Sequence, residues 1–214
     1  MNVLVLAAHP DDETLGAGAT IAKLADQGHN VKLLTFTDGE GARGPTEKNR
    51  NDKLDQVCDI LGIDEYACGD FPDNQMDSVP LIEICKFIES NVTATPDMIL
   101  THHPQCLNVD HSLVHRATLT VFRPQRGEAQ DILGFYVPSS TDYNPNLTLR
   151  SNTYIDVSGY EDKKMKALKV YSEEMRDFPH TRSYQNVANL MKVWGAEVGL
   201  LAAEKFYSAR RILK

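Results

Sequence analysis

Short apolar runs recur along this chain, and stretches of helical period separate them. The first run is Val3-Leu4-Val5-Leu6-Ala7-Ala8. An unbroken apolar run of this length reads as a strand covered on both faces, as in a parallel sheet. We assign strand one to residues 2–7 and a helix to about 13–27, in which Gly16, Ala17, Gly18 and Ala19 allow close approach to the sheet. Gly28 stops that helix. The pattern then predicts a strand over Val31–Thr37, a helix over about 46–61 ending at Gly62, and a short strand over Glu65–Cys68. A helix over 79–93, a strand over Pro96–Thr101, a helix over about 111–122 closed by Arg123-Pro124, and a strand over Ile132–Val137 follow. Pro138–Asn152 is polar and reads as a long loop or small hairpin, and helices are predicted over about 159–175 and 184–205. Strands alternating with helices predict an α/β fold: one domain over 1–214, three layers, and a mostly parallel sheet of about five or more strands with right-handed crossovers.

The first apolar run ends in His9-Pro10-Asp11-Asp12-Glu13-Thr14. Ligands bind beyond the carboxyl ends of strands in open α/β sheets, so an imidazole and three carboxylates stand where such folds keep their chemistry. Pro10 holds His9 extended and keeps a helix from starting there. The chain must turn sharply, and His9 and Asp12 can converge from the two sides of that turn. Imidazole with carboxylate is first-row metal chemistry, most commonly zinc. A catalytic zinc takes three protein ligands, so one more is expected from elsewhere. The plainer reading is that Asp12, Glu13 or Thr14 only favours the positive end of the next helix.

A second cluster supplies the missing imidazole. His102-His103-Pro104-Gln105-Cys106-Leu107-Asn108-Val109-Asp110-His111 follows the fourth strand and lies at the same carboxyl-end face. His111 and His115 are four apart and share a helix face, but the glutamate of an HExxH motif is missing. His111, at the helix start, is the preferred third ligand. His115, one turn further in, is expected to be structural or to support a ligand. Asp110 could cap the helix.

Composition narrows the class. The 214 residues are 42% hydrophobic, enough for one sizeable core, and the net charge of -8 gives no general nucleic-acid footprint. Cys58, Cys68, Cys85 and Cys106 show no CxxC spacing and read as reduced thiols of a cytoplasmic protein. No basic leader precedes the first strand, so no signal peptide is expected, and no apolar run has membrane-spanning length. Asp38-Gly39-Glu40-Gly41-Ala42-Arg43-Gly44-Pro45 is glycine-rich but has neither GxGxxG nor Walker spacing, which disfavours a phosphate cradle.

Ala8-His9-Pro10-Asp11-Asp12-Glu13 resembles the AHPDDE signature of the PIG-L/LmbE-like deacetylase superfamily, and Asp110-His111 is similar to its second motif. The Gly39-Glu40 loop, Pro72-Asp73-Asn74 and Gly195-Ala196-Glu197-Val198-Gly199 extend the resemblance over nearly the whole chain. The resemblance implies a Rossmann-like α/β sheet without a dinucleotide. It implies zinc held by His9, Asp12 and His111, with other divalent transition metals also accepted, and Asp11 as general base. The reaction it implies is hydrolysis of an N-acetyl group from an amino sugar or sugar conjugate of the GlcNAc type. Many members carry His-Pro-Asp-His where this chain has Asn108-Val109-Asp110-His111. Asn108 can donate a hydrogen bond to an oxyanion but cannot deliver a proton. Either His102 or His103 supplies the acid, or Asp11 handles both transfers, or the chemistry differs. Asp110 is expected to orient a neighbouring side chain.

Arg43, Arg50, Asp73, His180 and Arg182 are the candidate substrate contacts; an exposed arginine on a helix is as readily plain surface. The expected partner is a small amino-sugar molecule, and a homo-oligomer is compatible with the sequence. A competing class is a metal-dependent hydratase or lyase of an unsaturated carboxylic acid on the same scaffold. A non-catalytic binder is disfavoured, because it has no need of Asp11 beside the ligands.

Overall fold

A computed structural model describes residues 1–39, 50–124 and 130–212. The predicted first strand is β1 (Asn2–Ala7), an inner strand of the sheet. Alternate side chains of this run go to opposite faces, as the period of a strand requires. Val3, Val5 and Ala7 join one core, and Leu4, Leu6 and Ala8 join the other. The first core is roofed by α1 (Asp12–Asp26), α2 (Arg50–Leu61) and α5 (Glu161–Val170). The second is roofed by α3 (Leu81–Asn91) and α4 (Val109–Val121). Three layers result, as the sequence predicts.

The remaining strands are β2 (Asn30–Thr35), β3 (Glu65–Cys68), β4 (Met98–His102), β5 (Asp131–Phe135), β6 (Thr153–Asp156) and β7 (Ala203–Arg210). Their order across the seven-stranded sheet is β3-β2-β1-β4-β5-β7-β6. The strands from β3 through β5 run parallel, whereas β7 is antiparallel to both β5 and β6. The chain winds outward from β1 to β3 and then returns to place β4 on the other side of β1. The β1/β4 boundary is therefore the switch point, where the loops after the two strands part and leave a crevice.

The C-terminal part departs from the expected pattern. The helix expected over 184–205 ends at Glu197 as α6 (Tyr184–Glu197), and β7 begins at Ala203. Gly199, at φ 76°, makes the turn that ends the helix. The Ala-, Glu- and Lys-rich start of β7 has helical propensity, but tertiary context overrides it. Glu204 is fully buried and accepts the Ala19 and Thr20 N–H groups of α1 at 3.2 and 2.8 Å. Lys164 of α5 completes that knot, at 2.6 Å from Glu204. The loop region 138–152 forms no strand, and β6 starts only at Thr153. The helix expected over 159–175 is α5 followed by a separate turn of 3-10 helix at Ser172–Glu174. Residues 46–49 of the second predicted helix lie outside the described residues.

Candidate metal centre and its cavity

β1 delivers Ala8 and His9 to the switch point, and α1 starts three residues later at Asp12. The turn between them is tight. Asp12 Oδ2 accepts the His9 backbone N–H at 3.0 Å and lies 3.0 Å from His9 Nδ1. Asp11 takes the strain of this turn, at φ 123°, a conformation that a non-glycine residue adopts only when its surroundings impose it. Glu13 Oε2 accepts the Asp11 N–H at 3.0 Å, and Glu13 Oε1 accepts the Thr14 hydroxyl at 2.6 Å. Burial pushes the Glu13 carboxyl up to about 7, against those hydrogen bonds.

From the other side of the switch point, the first turn of α4 presents His111. Its Nε2 stands 3.1 Å from Asp12 Oδ2 and 3.3 Å from His9 Nδ1. The three atoms thus form a nearly equilateral triangle with edges of 3.0, 3.1 and 3.3 Å. Three ligands of a tetrahedral ion at about 2.0 Å would be separated by about 3.3 Å. The second oxygen of Asp12 is fully buried and has no hydrogen-bond partner. Two buried imidazoles and a carboxylate with one orphaned oxygen fit a divalent cation.

The charges respond to one another. Burial opposes ionisation of Asp12, but the pull of His111 and His102 and hydrogen bonds from His111 and His9 hold its carboxyl well below the usual range. Burial also works against protonation of His111, yet Asp12 and Cys106 raise it to about 9. His9 is likewise held well above the ordinary imidazole value, against burial, by Asp110, Asp12 and Asp73.

Behind the triangle, His9 Nε2 lies 3.1 Å from Asp110 Oδ2 and 3.3 Å from Asp73 Oδ1. Asp110 is pinned in turn by the backbone N–H groups of Asn74 and Met76, at 2.7 and 3.0 Å. Asp110 therefore does not cap α4. Asn108 does, its Oδ1 accepting the Asp110 N–H at 2.9 Å while its Nδ2 donates to Asn74 Oδ1 at 2.7 Å.

The triangle opens into a cavity of about 280 Å³ whose wall includes His9, Asp11, Asp73, His111, His180 and Arg182. Arg182 Nη1 donates to Asp11 Oδ2 at 3.0 Å, and its Nε donates to Ser139 Oγ at 2.8 Å and the Pro138 carbonyl at 3.1 Å. Asn108 also faces this space. His102 does not. It is fully buried behind the site and stacks on His111 with ring centroids 3.9 Å apart, and its Nε2 accepts the Ala8 N–H at 2.8 Å. His103 is buried too, against the Leu149 carbonyl at 3.0 Å. His115 bonds the His102 carbonyl at 2.8 Å, a structural placement. Arg43 and the side chain of Arg50 lie outside the described residues.

Sequence reasoning did not single out Cys106, Ser139 or Glu174. Cys106 Sγ is 3.0 Å from His111 Nδ1. Ser139, at φ 69°, and Glu174 help hold Arg182. Only the proximity of Cys106 to His111 in the chain hinted at such a contact; the other two come from distant loops.

The chain is similar to several known proteins. The chain is 30% identical over 131 residues to a probable N-acetyl-alpha-D-glucosaminyl L-malate deacetylase 2 of Bacillus cereus, a match covering 55% of this chain and 59% of that protein. The fold is shared with N,N'-diacetylchitobiose deacetylase of Pyrococcus horikoshii, at a TM-score of 0.74 and 18% identity over 97% of this chain and 83% of that one. It is equally shared with the 4-carboxy-2-hydroxymuconate hydratase of Pseudomonas putida KT2440, at 0.77 and 18%, over 100% and 98%. The family model described as PIG-L, GlcNAc-PI de-N-acetylase, matches residues 4–122, a stretch holding His9, Asp11, Asp12, Asp110 and His111. More than half of the chain lies inside that match, and the chain belongs to the PIG-L family.

Proposed function

We propose that this protein is a zinc-dependent hydrolase that removes an N-acetyl group from a GlcNAc-type amino sugar or sugar conjugate. The observation that carries this reading is the triangle of His9 Nδ1, Asp12 Oδ2 and His111 Nε2, next to the cavity-facing carboxylate of Asp11. In this reading His9, Asp12 and His111 hold the ion, and other divalent transition metals suit the same donors. Bound there, zinc supplies Lewis acidity toward an acyl carbonyl and toward water.

The chain's own residues supply the rest. Asp11 is the general base, its carboxylate facing the cavity and paired with Arg182. Asn108 has one amide hydrogen beyond the one given to Asn74 and can offer it to the developing oxyanion. Because the Nε2 of His102 already accepts the Ala8 N–H, we assign both proton transfers to Asp11, which returns its proton to the departing amine. Asp73, His180 and Arg182 are the proposed substrate contacts. No helix among the described residues is long and apolar enough to cross a membrane. Four free cysteines favour a cytoplasmic setting.

The test is acetate release from a panel of N-acetylglucosaminides, with and without chelator. Chelator-sensitive release supports the reading. Water addition to an unsaturated carboxylic acid, with no acetate from any amino sugar, overturns it in favour of the hydratase class.

A further inference from the structure

The two imidazoles of the candidate centre are held by unlike partners. His9 has carboxylates behind it, Asp110 and Asp73. His111 has a sulfur: its Nδ1 lies 3.0 Å from Cys106 Sγ, and both residues are buried. Cys106 itself is fixed. Its N–H donates to the His103 carbonyl at 3.1 Å, and its carbonyl accepts the Ser112 hydroxyl at 3.2 Å. The sulfur also lies 3.4 Å from Thr141 Oγ1, a hydroxyl oxygen that accepts the Val137 N–H at 3.0 Å. That oxygen is committed as an acceptor, so its hydrogen is free to point at the sulfur. His111 Nε2 faces Asp12 and His9, and Asp12 Oδ1 is buried there without a partner, a sign that the triangle is built for a ligand.

Resting on the metal reading above, we propose that Cys106 is a positioning residue for the metal. Its sulfur accepts the His111 Nδ1–H, which fixes the tautomer whose Nε2 lone pair faces the ion and sets the tilt of the ring. Outer partners of this kind usually supply a carboxylate or a carbonyl. Asp11, Asp12, Asp73 and Asp110 already crowd this pocket, and a sulfur orients the ring without bringing in a further carboxylate. The Thr141 hydroxyl orients the sulfur in turn, so the loop after β5 reports to the metal through a single side chain.

The experiment measures Zn²⁺ affinity by competition with a chromophoric chelator, and the absorption spectrum of the Co²⁺-loaded protein. The variants are Cys106→Ser, Cys106→Val and Cys106→Ala. Valine keeps the volume and removes the acceptor, and serine keeps an acceptor. We expect valine and alanine to weaken zinc binding by roughly 10- to 100-fold and to alter the Co²⁺ spectrum, and serine to restore most of both. Wild-type affinity in the valine variant overturns the inference. Should the valine and alanine variants not fold, the ¹⁵N spectra of zinc-loaded wild type and Cys106→Ser decide: a slowly exchanging His111 Nδ1–H whose shift moves on the sulfur-to-oxygen change supports the proposal, and one that is missing or unmoved overturns it. A wild-type chain that takes up no metal removes the metal reading and this inference together. Normal metal binding with no acetate release removes the deacetylase reading alone.

Discussion

Arg182 Nη1 lies 3.0 Å from Asp11 Oδ2, an ion pair between residues 171 apart in the chain. It joins the strained turn after β1 to the loop that enters α6. Both side chains are nearly buried, at 13% and 4% exposure. Truncating one member of such a nearly buried pair costs about 3 kcal/mol. Arg182→Ala should lower the unfolding free energy by that order in urea titrations. Arg182→Lys should recover little, since a lysine cannot also reproduce the Nε contacts to Ser139 and Pro138. Wild-type stability in Arg182→Ala would show that the pair contributes nothing.

Asp11 lines the cavity but contributes none of the three converging donor atoms. Asp11→Asn keeps the shape of the side chain and removes its basicity. Turnover should fall by roughly 10²- to 10⁴-fold while metal content stays at the wild-type level. Steady-state kinetics with parallel metal analysis check this, and an active, metal-loaded Asp11→Asn protein would take the base role away from Asp11.

His103 carries a pH prediction away from the candidate metal site. Its Nε2 donates to the Leu149 carbonyl at 3.0 Å, and its Nδ1 accepts the Gln105 N–H at 3.1 Å. Both contacts suit the neutral ring. Burial lowers its pKa below the ordinary imidazole value, against the help of the Leu149 carbonyl. Below about pH 6.5 the unfolded chain therefore binds more protons at this position than the folded one does. The stability it contributes is present above that pH and is lost as the pH falls toward the folded pKa. The stability difference between wild type and His103→Gln, from urea unfolding at about pH 8 and about pH 5, should shrink on acidification. A difference that stays constant would contradict the assignment.

The sequence made the switch-point half of this structure readable. The run from Val3 to Ala8 announces a doubly covered strand, and Pro10 with the acidic triplet marks the turn after it. Asp12 and His111 are legible as candidate ligands because each opens a helix at the carboxyl end of a strand, a position set by topology. The C-terminal half was less legible. Ala203, Glu204 and Lys205 carry helical propensity, and long-range contacts make them a strand: pairing with β6 and burial of Glu204 against α1 and Lys164. Gly199 was the local sign that a helix ends there. Pairings such as Arg182 with Asp11 and Asp110 with the Asn74 N–H join residues that no local pattern relates. His102 looked like a candidate acid because it is a histidine at a strand end. Its position within β4 turns it inward, onto the Ala8 N–H.

The most direct measurement is the metal content of purified protein after exhaustive dialysis, compared across wild type, Asp11→Asn, and alanine variants of His9, Asp12 and His111. The account predicts a single tightly held divalent ion in wild type and in Asp11→Asn, and its loss from each of the three alanine variants. An ion retained in full by folded His111→Ala protein, or a wild-type chain that never takes one up, would contradict it.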